Sequence, residues 1–264
     1  MTQTELPSRC LEGRAILVTG AGDGLGRAAA LAFARNGAEV ILLGRTVPKL
    51  ESVYDEIVAL DGPTPAVYPM DLSGASVRDF QELARTVHAR IGHLEGLLHN
   101  AAELELLTPL AFHSAEDWER TLRVNLTAPF LLTQACLPLL RAAARGTVIF
   151  TTDECATTPK GYWGAYGAGK AALNNLAFMW AKELSDTQMR VHVLDPGPAR
   201  TVMRLRTHPG APIGSWPLPE DLMPAYVHLM NPDTPATDQV FRVAEWLAGS
   251  HGSRPCGAGR ASTG

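Results

Sequence analysis

Short, nearly continuous apolar runs alternate along the chain with longer stretches in which apolar positions recur every three or four residues. The runs at 14–19, 39–43, 66–69, 94–99, 147–151, 190–194 and 239–243 read as strands. Unbroken apolar character, as opposed to strict alternation, marks strands buried on both faces. The stretches at 24–36, 47–60, 77–91, 126–144, 164–185 and 221–230 read as helices. In the first of these, Leu25, Ala28, Ala29, Ala32 and Phe33 fall on one side, and Gly37 is placed to end it. Ser114-x-x-Asp117 predicts a capping box, with aspartate in place of glutamate, opening a further helix. Pro129 and Pro138 interrupt the 126–144 helix, and the proline-rich span 196–219 reads as a loop. Strands alternating with helices predict an α/β fold, its parallel sheet covered on both faces.

Composition changes this picture little. The chain has 264 residues, 46% hydrophobic and 19% charged, enough for a large core. No linker, repeat or low-complexity segment divides it, so 1–264 is expected to be a single domain, with the glycine-rich 252–264 a disordered tail. The net charge of -4 comes with no basic stripe, which argues against nucleic acid. No apolar run approaches the roughly 20 residues of a membrane helix, and residues 1–12 lack the apolar stretch of a signal peptide. Cys10, Cys136, Cys155 and Cys256 are scattered without a Cys-x-x-Cys pair, so no metal site is expected and a reducing cytoplasm is the simplest setting. His88, His93 and His99 read as structural or solvated.

The candidate chemistry lies at two places. The first strand runs into Thr19-Gly20-Ala21-Gly22-Asp23-Gly24-Leu25-Gly26 and then a helix. Glycines there let the backbone turn tightly and approach a pyrophosphate resting on the helix N-terminus. In that context the fold sharpens to a Rossmann-type doubly wound parallel sheet of about seven strands. Arg45, just after the second strand, is a fork-shaped cation suited to a 2′-phosphate, which favours NADP over NAD. Asp71, after the third strand, would reach the adenine edge, and Asn100 follows the fourth. Tyr166 and Lys170 stand four apart, on one helix face. An adjacent ammonium would lower the phenol pKa and let it exchange a proton near neutral pH.

These motifs resemble the short-chain dehydrogenase/reductase family. The matching residues are Thr19–Gly26, Asp71-Leu72, Asn100-Ala101-Ala102, Asn125 in Val-Asn-Leu, Tyr166-x-x-x-Lys170, and Pro196-Gly197 with Thr201. They occur in family order over 12–245. The resemblance implies NADP-dependent hydride transfer between nicotinamide and a small carbonyl or alcohol substrate. Tyr166 would be the acid/base, and Lys170 its partner and a ligand of the nicotinamide ribose. Asn125 would hold a water in a proton relay. Gly20, Gly24, Leu25 and Gly26 would cradle the pyrophosphate, Asp71, Leu72 and Asn100 the nucleoside, and Pro196, Gly197 and Thr201 the nicotinamide. A homo-oligomer, dimer or tetramer, is also implied.

One position departs from the pattern. Thirteen residues before the tyrosine the family has a serine, and here stands Asp153. The serine donates to the substrate oxygen, whereas an ionised aspartate only accepts. Four outcomes are open. Asp153 is held protonated and donates, Thr152 takes the serine's place, the chain binds NADP as a module of impaired catalysis, or Asp153 is a surface loop residue with no role. Ala102, His99, Gly169 and Ala244-Glu245-Trp246 are smaller departures. Met203, Leu205, Ile213 and Trp216, in the span expected to cover the substrate, suggest an apolar one, although packing of the lid on its own body explains them equally.

Overall fold

The computed structural model describes residues 9–236 and 239–249, so the expected tail at 252–264 lies outside the described residues. Strands β1 (Ala15–Thr19), β2 (Glu39–Gly44), β3 (Ala66–Pro69), β4 (Gly96–His99), β5 (Thr147–Thr151), β6 (Arg190–Asp195) and β7 (Val240–Arg242) form one sheet. The order is β3-β2-β1-β4-β5-β6-β7, and every pairing is parallel. Every residue of β1, β4, β5 and β6 is buried, which is why their sequences lack alternation.

Helices cover both faces. On one, α1 (Gly24–Arg35), α2 (Val47–Val58) and α8 (Met223–Met230) bury Phe33, Leu50, Ile57 and Tyr226. On the other, α3 (Val77–Arg90), α5 (Ala128–Ala142) and α6 (Gly164–Glu183) bury Phe80, Leu83, Leu140 and Leu173. Truncating a core aromatic such as Phe33 or Phe80 to alanine would cost about 3–5 kcal/mol. The chain reverses its winding between β1 and β4, which opens a crevice at the carboxyl ends of those strands. Thr19 ties the two together there. Its Oγ1 donates to the Leu98 carbonyl (3.2 Å) and accepts from the backbone N–H groups of Asn100 and Ala101 (3.0 Å each).

Several elements differ from the sequence reading. Helix α4 (Ala115–Leu122) begins as expected, with Ser114 Oγ accepting from Asp117 N–H at 3.0 Å. The complete capping box forms at α3 instead, where Ser76 and Asp79 cap each other reciprocally. The run expected as one helix over 126–144 is a π-turn, Arg123–Thr127, leading into α5. The 196–219 span is not wholly loop. Thr201 caps a short helix, α7 (Val202–Thr207), by accepting from Arg204 N–H at 3.2 Å. The last strand is short because Val243 already begins α9 (Val243–Ala248).

Candidate active site

The crevice is an open cleft of about 380 Å³, within the range of small-molecule and cofactor sites. The glycine turn forms one end. Gly20 (φ +68°) and Gly24 (φ +52°) adopt left-handed backbone that β-carbons disfavour. A Cβ on Gly26 would lie 2.2 Å from the Gly20 carbonyl oxygen and 2.7 Å from Asn100 Nδ2. Gly26 therefore closes the turn from behind and does not line the cleft, whereas Gly20, Gly24 and Leu25 do. Asp23 caps α1 by accepting from Gly24 N–H (2.7 Å) and pairs through its other oxygen with Lys49 (2.5 Å). That hydrogen bond is the largest of the influences holding the Asp23 carboxyl below its ordinary range.

Arg45, Asp71, Leu72 and Asn100 line the same end. Arg45 pairs with Glu103 at 3.3 Å, and Glu103 also accepts from Arg120 at 3.4 Å. The Asp71 carboxyl accepts from the Ser73 backbone (2.9 Å) and hydroxyl (2.8 Å), and the backbone bond chiefly lowers its pKa. Pro196, Gly197 and Thr201 line the opposite wall. The Gly197 N–H donates to Asp195 Oδ1 (2.9 Å). A Cβ on Gly24 would meet Thr201 Cγ2 at 3.3 Å, so this wall touches the glycine turn. Residues 20–26 and 196–201, remote in sequence, thus frame one slot.

Tyr166 and Lys170, on α6, line the cleft and are both buried. Lys170 Nζ donates to the Thr151 carbonyl at 2.8 Å and lies 5.6 Å from the centre of the Tyr166 ring. The expectation that Lys170 lowers the tyrosine pKa is corrected here. Burial, followed by the nearby carboxyl groups of Asp153 and Asp195, drives the Tyr166 pKa well above its ordinary value. Burial also lowers Lys170 to about 8, so the ammonium is itself poorly supported.

Asp153 lines the cleft beside Tyr166, and its Oδ1 accepts from Cys155 N–H at 2.9 Å. Thr152 lines it too, with a buried hydroxyl that has no hydrogen-bond partner. Asn125 lies outside the lining. It sits in the π-turn, a distortion that often marks functional sites. Both ends of its amide bond the Glu103 backbone, so in this arrangement the side chain positions a loop and is not presented to a water in the cleft. His99, buried and held near pKa 3 by burial, bonds Thr133 at 2.8 Å, a structural role.

Sequence reasoning missed Glu103, Lys49, Trp163 and Arg204, all of which line the cleft. Trp163 packs against Tyr166 (centroids 5.6 Å apart) and the lid residue His208 (6.2 Å). Of the lid residues expected to face an apolar substrate, Met203 lines the cleft. Trp216 instead packs on His208 and under Arg204. Among the described residues, no group of three or more His, Cys, Asp or Glu could hold a metal. No helix among them is long and apolar enough to cross a membrane.

A parallel sheet with a glycine turn at its switch point, facing a buried Tyr–Lys pair, defines a dinucleotide-dependent oxidoreductase architecture. The model of the short chain dehydrogenase family matches residues 14–210, and the chain belongs to that family. It is 38% identical over 224 residues to the uncharacterized oxidoreductase YciK of Escherichia coli (strain K12), covering 85% of this chain and 88% of that one. A short chain dehydrogenase of Shigella flexneri, solved in complex with NADP, is 36% identical with a TM-score of 0.87, over 90% of this chain and 99% of that one. One from Escherichia coli CFT073, complexed with NADPH, is also 36% identical with a TM-score of 0.86, over 92% and 99%.

Proposed function

We propose that this oxidoreductase uses NADP(H) to transfer hydride to or from a small molecule, a carbonyl/alcohol pair being the family's customary substrate. The observation that carries this is that Tyr166 and Lys170 line the same cleft as the glycine turn. The left-handed Gly20 and Gly24, which line the cleft, suit a bound pyrophosphate. Bound NADPH would supply the hydride. The chain's residues bind and orient it and move the proton. Arg45 would accept the 2′-phosphate by leaving Glu103, which keeps Arg120 as its partner. Lys170 would hold the nicotinamide ribose, and Pro196, Gly197 and Thr201 the ring. Tyr166 would exchange the proton with the substrate oxygen.

Titrating NADPH and NADH by fluorescence, then following NADPH consumption over a panel of carbonyl compounds, tests this. Tight NADPH binding with no preference over NADH would contradict the Arg45 assignment. Absence of NADPH binding would overturn the whole reading.

A second reading rests on Asp153. A carboxylate where the family places a donor would disfavour a developing oxyanion, leaving an NADP-binding module of impaired catalysis. A large gain in carbonyl reduction by Asp153→Ser would favour it. The Phe130–Trp180 stack (6.4 Å), with Met179 and Phe130 exposed on the same pair of helices, supports assembly into a homo-oligomer. Sedimentation would measure it.

A further inference from the structure

We propose that the cleft accepts a carbon–nitrogen double bond carrying an N–H, an imine or iminium ion, as its reacting group in place of a carbonyl oxygen. The inference rests on the hydride-transfer reading and narrows its substrate class.

Asp153 lines the cleft next to Tyr166 and Lys170, and its backbone cap occupies Oδ1. A carboxylate has about four acceptor positions, so capping leaves it free to accept from a substrate. A serine or an asparagine would serve the cap equally well, so the cap does not explain the charge. A carboxylate at this point opposes negative charge growing on oxygen. The same carboxylate attracts a cationic N–H, through a charge-assisted hydrogen bond. Other groups near the reacting end agree. The carboxyl groups that act on the phenol are Asp153 and Asp195, both of which disfavour phenolate. The opposing cation, Lys170, is bonded to the Thr151 carbonyl. The nearby Glu154 is paired with Lys160 at 2.5 Å. Trp163 and Met203 add an aromatic face and an apolar wall suited to the carbon frame of such a molecule.

The step balances. The iminium carbon gains a hydride, forming a C–H bond. The carbon–nitrogen π bond breaks, and its electron pair stays on nitrogen as the lone pair of the amine. The hydride brings the two electrons of the new C–H bond from NADPH, which is thereby oxidised to NADP⁺. A neutral imine would take one further proton from Tyr166, which the solvent restores.

Two measurements on the NADPH-loaded protein test this. In the first, cyclopentylammonium and cyclopentanol, neither reducible, are titrated by calorimetry. The ammonium should bind at least ~10-fold more tightly, and Asp153→Asn should remove that preference without changing the alcohol. Equal binding, or a preference that survives Asp153→Asn, overturns the proposal. Asparagine preserves the backbone cap, so the variant isolates the charge. In the second, NADPH oxidation is followed with 2-methyl-1-pyrroline and with cyclopentanone. The native protein should favour the imine in kcat/KM, and Asp153→Ser should shift the preference toward the ketone. NADPH binding with the ketone favoured by the native protein overturns this inference alone. Loss of NADPH binding overturns the hydride-transfer reading beneath it.

Discussion

Glu103 and Asn125 hold each other through two hydrogen bonds of 2.8 Å each. The Glu103 N–H donates to Asn125 Oδ1, and Asn125 Nδ2 donates to the Glu103 carbonyl. The bond pair fastens the segment after β4 to the π-turn ahead of α5. The Glu103 carboxylate then stands where it can accept from both Arg45 and Arg120. A buried asparagine therefore reaches the cofactor end of the cleft through the residue it carries.

Asn125→Ala would leave the Glu103 backbone groups without these partners. The expected cost is about 2–3 kcal/mol. For a chain of this size that is a fall in Tm on the order of 5–10 °C, read by thermal melting. An unchanged Tm would contradict the positioning role.

Arg45→Ala should weaken NADPH binding by at least ~10-fold while leaving NADH within about twofold, because only the 2′-phosphate loses its charge-assisted partner. Fluorescence titration of the two cofactors reads this directly. Parallel losses for both would place Arg45 outside the phosphate site.

Gly26→Ala sets a methyl group against the Gly20 carbonyl, a backbone atom that cannot give way cheaply. The expected result is loss of cofactor binding with a lowered Tm, by fluorescence and melting together. Normal binding would mean the turn is not shaped as described.

Lys170 predicts a pH-dependent stability. Burial depresses its pKa from the ordinary 10.5 to about 8. Between those values the unfolded chain binds the proton and the folded one does not, so this residue makes stability rise with pH across that window. Below pH 8 both states are protonated, and the buried ammonium destabilises the fold by its full amount. The Tm difference between native protein and Lys170→Met should therefore move in favour of the native protein from pH 8 to 10.5. A flat difference would contradict the burial cost.

The sheet was legible because buried parallel strands are continuous apolar runs, and 15–19, 39–44 and 147–151 could be little else. The glycine turn and the Tyr–Lys pair were legible as local spacing, and both line one cleft. What was not legible depends on burial or on distant contacts. A π-turn uses the same residue types as an α-helix, so 126–144 read as one helix and the turn at 123–127 was not seen. Prolines concealed α7, whose start is fixed by the Thr201 cap. The tyrosine pKa was misread because spacing reveals a neighbouring ammonium but not the desolvation that outweighs it. The only sequence signal for Glu103 was an acid just past Asn100-Ala101-Ala102. Its partner Arg45 is 58 residues away.

The central claim is that Tyr166 passes the proton while the rest of the cleft binds the dinucleotide. Tyr166→Phe removes one hydroxyl from a buried ring and nothing else. With NADPH titrated by fluorescence and turnover followed on the same sample, it should abolish turnover and leave NADPH affinity within about twofold. Turnover equal to that of the native protein would contradict the account.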